Sequence, residues 1–225
     1  MTPQLRVHTI GLIGYDEALK RQLECVERLK TGEASTEEFL LLLEHPPIIT
    51  IGRSGTSANV RVEAAELTAQ GVGLREASRG GDVTYHGPGQ LVGYPILRLD
   101  RHGKDVHKYM RSLEAVIIAV LKHFGIVAQR RPGLTGVWVA ERKIASIGVA
   151  VTRWITYHGF ALNVAPDLAH FDLIHPCGLK GVVITSMAKE LGRPVGMKDV
   201  EPVLIPAFAE EFGLARFTIV NQPIA

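Results

Sequence analysis

Residues 78–98, Ser-Arg-Gly-Gly-Asp-Val-Thr-Tyr-His-Gly-Pro-Gly-Gln-Leu-Val-Gly-Tyr-Pro-Ile-Leu-Arg, constrain this chain more than any other stretch. Four glycines and one proline fall between Arg79 and Gly89, and Gln90 to Leu99 then reads as an apolar strand. Glycines at this density let the backbone take φ > 0 and let main chain approach a ligand closely. Arg79, Asp82, Thr84, Tyr85 and His86 set polar side chains beside the bare amides. A loop feeding directly into a strand holds such a surface on a rigid scaffold, so the stretch reads as a binding loop and not merely a turn.

The rest of the chain supplies the scaffold. Leu5–Leu12 is a candidate first strand. Tyr15–Lys30 is helical, with Tyr15, Leu19, Leu23 and Val26 on one face and Cys25 near its edge as a small packed hydrophobe. Phe39–Leu43 and Ile48–Ile51 are apolar runs separated by His45-Pro46-Pro47. Glu63–Gln70 reads as a short helix. Val106–Phe124 is the clearest helix, with Asp105 to cap its start and Gly125 to end it. Val137–Ala140, Ile144–Val151 and Thr156–Val164 read as three antiparallel strands, with Arg142-Lys143 and Arg153-Trp154 at or beside the turns. A loop-rich segment, Pro166–Gly181, precedes two helices, Ser186–Leu191 and Lys198–Phe212, and Pro206 is expected to kink or break the second. Strands and helices interleave irregularly, without repeats or a linker, so residues 1–225 are read as one α+β domain around a mixed sheet.

Composition removes several classes of function. A net charge of +2 without a run of like charges does not argue for nucleic acid. No apolar run reaches the roughly 18 residues a membrane span needs, and the first residues do not read as a signal peptide. Two cysteines, Cys25 and Cys177, make no disulfide framework and fit a reducing cytoplasm. No Walker loop, no G-x-G-x-x-G and no nucleophile elbow is present.

Cys177 lies between Pro176 and Gly178, a turn that would present its thiol. As a nucleophile it needs a cation to lower its pKa, and Lys143, His175, Lys180 and His86 are the candidates. By composition alone Lys143, inside Glu141-Arg142-Lys143, reads as an ordinary exposed turn lysine. His86, His158, His175 and Cys177 could in principle hold a metal, but no ligand spacing supports a site and none is expected.

An ordered set of motifs carries a family resemblance. His45-Pro-Pro is followed by Thr50-Ile-Gly-Arg53, by Arg79 to Leu91, by Gly136-Val-Trp138, and by Lys143-Ile-Ala-Ser-Ile-Gly148. His158-Gly-Phe-Ala-Leu-Asn163, Pro176-Cys-Gly178 and Thr185-Ser-Met187 complete it. Together, over roughly residues 45–187, they resemble the bacterial octanoyltransferases of protein lipoylation. The resemblance implies the mixed-sheet fold of biotin- and lipoate-protein ligase catalytic domains. It implies transfer of an octanoyl group from acyl carrier protein to a lysine of lipoyl domains in 2-oxoacid dehydrogenase complexes or the glycine cleavage H protein, with no cofactor. It maps a thioester-forming cysteine to Cys177 and its lysine partner to Lys143. It maps the acyl site to Arg79, Gly80, Gly81, Asp82, Val83, Thr84, Tyr85 and His86, to Ser146, Ile147 and Gly148, and to Gly159, Phe160 and Ala161.

On this mapping the glycines of the loop, Gly148 and Gly159 let the acyl chain lie on main chain. Arg53, Arg75, Arg79, Arg142 and Lys180 form a basic rim for acidic carrier and lipoyl domains. Selection for chain length is soft, since one methylene in an apolar pocket is worth only about 1–3 kcal/mol. The rival activity is an ATP-dependent lipoate-protein ligase. A silent acyl binder and a cysteine hydrolase are the further alternatives.

Overall fold

β2 (Glu37–Glu44) shows why the chain folds around one sheet: it is apolar along its length because both of its faces are covered. Leu40 and Leu42 join the core beneath α3 (Val106–His123) and α5 (Met197–Glu211), while Phe39, Leu41 and Leu43 pack against α1 (Tyr15–Thr31). The computed structural model describes residues 4–31, 37–178, 181–214 and 216–220, and of Cys177 the backbone only.

The large sheet is built from β1 (Gln4–Leu12), β2, β6 (Gln90–Ile96), β7 (Gln129–Arg131), β8 (Leu134–Val139), β9 (Arg142–Thr152), β10 (Ile155–Asn163) and β12 (Arg216–Val220). Its order is β12-β1-β2-β6-β10-β9-β8-β7, with β11 (Val183–Ile184) added in parallel beside β9. β12, β1 and β2 run parallel to one another, and every step from β2 to β7 is antiparallel. A second sheet stacks β4 (Gly73–Glu76), β3 (Ile48–Ile51) and β5 (Val83–His86), next to α2 (Ala64–Ala69). α4 (Met187–Leu191) follows β11. The α+β, mixed-sheet architecture expected from the sequence is the one observed.

α3 has the termini its sequence predicts: the Asp105 side chain accepts from the Lys108 N–H at 3.0 Å, and Gly125 follows with φ +81°. Three other expectations are corrected, and one strand was not foreseen. On α1 the buried face runs through Tyr15, Ala18, Gln22, Cys25, Val26 and Leu29, whereas Leu19 is half-buried and Leu23 exposed. Cys25 is thus central to that face. α5 is not broken at Pro206: Val200, Leu204, Ile205 and Phe208 stay buried in the core shared with α3, and this packing offsets the roughly 3 kcal/mol a helical proline costs. Arg142 and Lys143 open β9 directly beside the turn, as expected, but Lys143 is 3 % exposed and not an exposed turn lysine. β12 was not foreseen, because its partner β1 lies more than 200 residues away. No helix among the described residues is long and apolar enough to cross a membrane.

Candidate active site

The glycine loop and the β9–β10 hairpin border a small, partly open cavity of about 40 Å³. Ser146, Ile147 and Gly148 of β9 lie opposite Ala161, Phe160 and Gly159 of β10 in antiparallel register and form one wall. Arg79, Asp82, Val83, Thr84 and His86 form the other. Tyr15 from α1, Tyr94 from β6 and His158 from β10 line it as well. The acyl-site mapping did not include these three, although His158 opens one of the motifs. Tyr15 had been counted as helix core and Tyr94 as strand core, and the left-handed backbone of His158 (φ +56°) leaves no mark in a sequence.

Arg79 holds the loop in place. Its guanidinium donates to Thr50 O at 2.6 Å, Thr50 Oγ1 at 2.7 Å, Asp82 O at 2.8 Å and Gly80 O at 3.1 Å. It is buried, so it is a strut and not part of a basic rim. The other residues of that expected rim divide. Arg142 pairs bidentately with Glu190 at 2.8 Å, Arg75 pairs with Asp16, Arg53 stays exposed, and Lys180 lies outside the described residues.

Gly80 and Gly81 shape the loop without lining the cavity: the Gly80 N–H donates to Val149 O at 2.8 Å, and Gly81 takes φ +81°. Tyr85 points away from the cavity, as strand alternation from Thr84 and His86 requires. Its ring stacks on His170 at 4.9 Å and its hydroxyl lies 3.1 Å from His170 Nδ1. Gly148 and Gly159 leave less room than expected. A Cβ on Gly148 would lie 3.0 Å from Arg79 Cδ and Gly80 O, and one on Gly159 would meet Gly93 O and Pro95 Cδ. On the side a Cβ would take, these glycines admit the loop and β6, while both also line the cavity.

His45, His86 and His158 are held toward the neutral form. Burial is the main cause pushing His86 and His158 down to about 3, with like charges adding to it, and burial lowers His45 as well. A neutral His86 cannot be the cation that activates a thiol, which removes one sequence candidate. Gln90 Nε2 donates to Asn163 Oδ1 at 2.8 Å, which turns Gln90 Oε1 toward His86 Nδ1 at 2.7 Å and fixes the proton there. His158 has its own support: Gln22 Oε1 accepts from its N–H at 2.7 Å, and its Nε2 lies 2.9 Å from Ser78 Oγ. Among the described residues no three His, Cys, Asp or Glu side chains gather as a metal site.

Lys143 runs its side chain past Gly136 toward Trp138, with Nζ 5.5 Å from the indole centroid, a distance at which a cation is attracted to the ring face. A Cβ on Gly136 would sit 2.8 Å from Lys143 Cε, so the glycine makes room for the amine's stem. The Gly136 N–H donates to the buried Glu114 carboxylate at 3.0 Å. The Lys143 carbonyl accepts from Thr185 N at 2.9 Å.

The backbone turn Pro176–Gly178 is latched to the glycine loop. Gly178 N donates to His175 O, His175 N donates to Asn59 O, and Asn59 Nδ2 donates to Asp82 Oδ2 at 2.6 Å. Asp82 Oδ2 occupies the space a Gly178 Cβ would need. Beyond the turn, Ile184 of β11 pairs with Lys143. The segment carrying Cys177 is therefore fixed at one end to a cavity-lining loop and at the other to the strand that holds Lys143.

This architecture and cavity define a class. Residues 14–209 match the lipoyl protein ligase A/B catalytic domain. An octanoyltransferase of Geobacter metallireducens is 49 % identical over 198 residues, covering 87 % of this chain and 88 % of that protein. One from Christiangramia forsetii is 41 % identical over 227 residues, covering 94 % and 97 %. The solved archaeal lipoylation system of Thermoplasma acidophilum, a bipartite lipoate protein ligase with its E2 lipoyl domain, superposes with a TM-score of 0.75 at 17 % identity. It covers 99 % of this chain and 88 % of that one, and shows the fold alone. The chain belongs to the lipoyl protein ligase A/B family, on its octanoyltransferase branch. It is an acyl-transferring enzyme.

Proposed function

We propose that the chain moves an octanoyl group from octanoyl-acyl carrier protein to a lysine of lipoyl domains, through a thioester on Cys177 and with Lys143 as its proton-transfer partner. The observation that carries the dyad is the placement of Lys143: a lysine 3 % exposed, in a strand beside a glycine kept free for its stem, is not a surface residue. The Cys177 thiolate attacks the donor carbonyl, the C–S bond to the pantetheine breaks, and the Lys143 ammonium protonates the departing thiolate. The incoming lysine amine then attacks the acyl-enzyme. Neutral Lys143 takes its proton, and Cys177 leaves as thiolate. Thioester exchange is nearly balanced and amide formation is downhill, so ATP and other cofactors are not needed. The acyl chain lies in the cavity between the glycine loop and the β9–β10 hairpin, and the enzyme works in the cytoplasm.

Intact mass after mixing with octanoyl-acyl carrier protein, without ATP, tests this reading. The expected result is a gain of one octanoyl group, absent in Cys177→Ser and discharged by a lipoyl domain. Transfer by Cys177→Ser would sink the covalent route. Transfer that requires ATP and free acid would establish the lipoate-protein ligase instead.

A further inference from the structure

Outside the cavity between the glycine loop and the hairpin, the chain has an open groove of about 580 Å³. Pro176, the residue before Cys177, and Ile184, the strand partner of Lys143, both line it, so it starts beside both members of the proposed dyad. Arg61 and Lys189 line it as well, and both are exposed. The Arg61 guanidinium donates from Nη1 to the Asp172 carbonyl at 2.8 Å, a neutral partner. Among the described residues no carboxylate forms an ion pair with Arg61 or Lys189. Two cations thus accompany one carboxylate, that of Asp172, along this lining. The wall also carries Ile174, buried, and Val183, an apolar side chain left 51 % exposed.

Resting on the octanoyltransferase reading, we propose that this groove seats the phosphopantetheine arm of the acyl donor, with the arm's phosphate on Arg61 and Lys189. The donor's thioester has to meet the Cys177 thiol, so its arm leaves past the residues flanking the dyad. About 13 bonds of about 1.25 Å projected length each separate the arm's sulfur from its phosphorus, about 16 Å in all. The Arg61 guanidinium is held at Asp172, five residues before Cys177. Five residues span at most about 18 Å, and the helical turns at Leu168–Leu173 and Pro176–Gly178 shorten that path. The phosphate site therefore lies within an arm's length of the thiol. A phosphodiester carries one negative charge, and the guanidinium fork suits its paired oxygens. The arm's two amides resemble main chain. Among the described residues β11 pairs with β9 alone, which leaves its other edge to bond them. The arm's methyl groups pack on Val183.

Acyl-enzyme formation, followed by intact mass in the wild type, Arg61→Ala and Arg61→Lys, tests this with three donors: octanoyl-acyl carrier protein, octanoyl-phosphopantetheine and octanoyl-pantetheine. The last two differ by the phosphate alone. In Arg61→Ala the half-saturating concentration of the phosphorylated donor, relative to that of the unphosphorylated one, is expected to rise about tenfold, the scale of one charge-assisted hydrogen bond. The carrier-bound donor should weaken by the same factor, and Arg61→Lys should recover most of the loss. The ratio is internal to each preparation, so any loss of folded protein cancels. An unchanged ratio, or carrier-bound donor that saturates as in the wild type, overturns the assignment. So does a loss confined to discharge by the lipoyl domain, which would give the groove to the acceptor. A wild type that takes up no acyl group from any of the three donors overturns the octanoyltransferase reading itself, and this proposal with it.

Discussion

Gly136→Ala is the substitution that most directly probes how Lys143 is held. The new Cβ would lie 2.6 Å from Ala145 O, 2.8 Å from Lys143 Cε and 3.3 Å from Lys143 Nζ. The carbonyl belongs to the paired strand and cannot yield, so β8 or the lysine stem must move. The backbone there has φ +120°, a region that costs a non-glycine residue about 1–3 kcal/mol. Overpacking adds about 1–3 kcal/mol. The stiffer unfolded chain returns about 0.4–1 kcal/mol, which leaves a net loss of about 1–5.6 kcal/mol. A chain of this length has an unfolding entropy of about 0.5 kcal/mol/K, so Tm should fall by about 2–11 °C. Calorimetry reads that shift. Single-turnover acylation, followed by mass below the lowered Tm, reads the chemistry. Acylation should slow at least tenfold, the scale on which a misplaced proton donor acts, while the donor concentration for half-maximal rate stays put. Wild-type acylation with Tm lowered by less than about 1 °C would refute the idea that the missing Cβ positions the lysine.

Two further outcomes follow from buried titratable groups. Cys25 is fully buried, and desolvation pushes its thiol up to about 12, so native protein treated with iodoacetamide should leave the Cys25 peptide unlabelled while denatured protein labels it. Labelling of Cys25 in the native state would show that α1 opens. His86 and His158 have folded-state pKa values near 3, below the unfolded value of about 6.5, so the unfolded chain binds more protons in between. Their stabilisation is complete above pH 6.5 and is lost as pH falls toward 3. From pH 7 to 5 each costs about 2 kcal/mol by linkage, lowering Tm by several degrees. Denaturant midpoints across that window should fall, and His158→Gln should show a shallower fall than the wild type. A flat profile would mean that these rings can be protonated without unfolding.

Local signals were readable from the sequence where one element answers to itself. The Asp105 cap, the glycine after α3 and the β8–β9–β10 meander needed only neighbouring residues to specify them. The apolar run of β2 was visible, but not the split of its two faces between α1 and the α3–α5 layer. Distant demands were hidden. Gln22 is buried on α1 because it accepts from the His158 amide, 136 residues on. Lys143 looks like a turn residue in Glu141-Arg142-Lys143, yet β11 extends the sheet beside it and Trp138 covers it. In the site, the glycine loop and hairpin stood out by motif. The histidine–tyrosine wall, assembled from α1, β6 and β10, could not, since nothing local ties Tyr15 to His158.

The pairing of β12 with β1 has a consequence for biosynthesis. β1 gains a neighbour on one side once β2 has been made, but its other edge has nothing to pair with until residues 216–220 emerge. About 200 residues separate the two, a delay of roughly 10–40 s at ribosomal speeds of about 5–20 residues per second. Throughout that interval the nascent chain carries an open strand edge of the kind that recruits other chains. The newborn protein is thus most prone to sticking before β12 arrives. Conditions that slow synthesis between β2 and β12 should raise its demand for chaperones more than any change at the cavity.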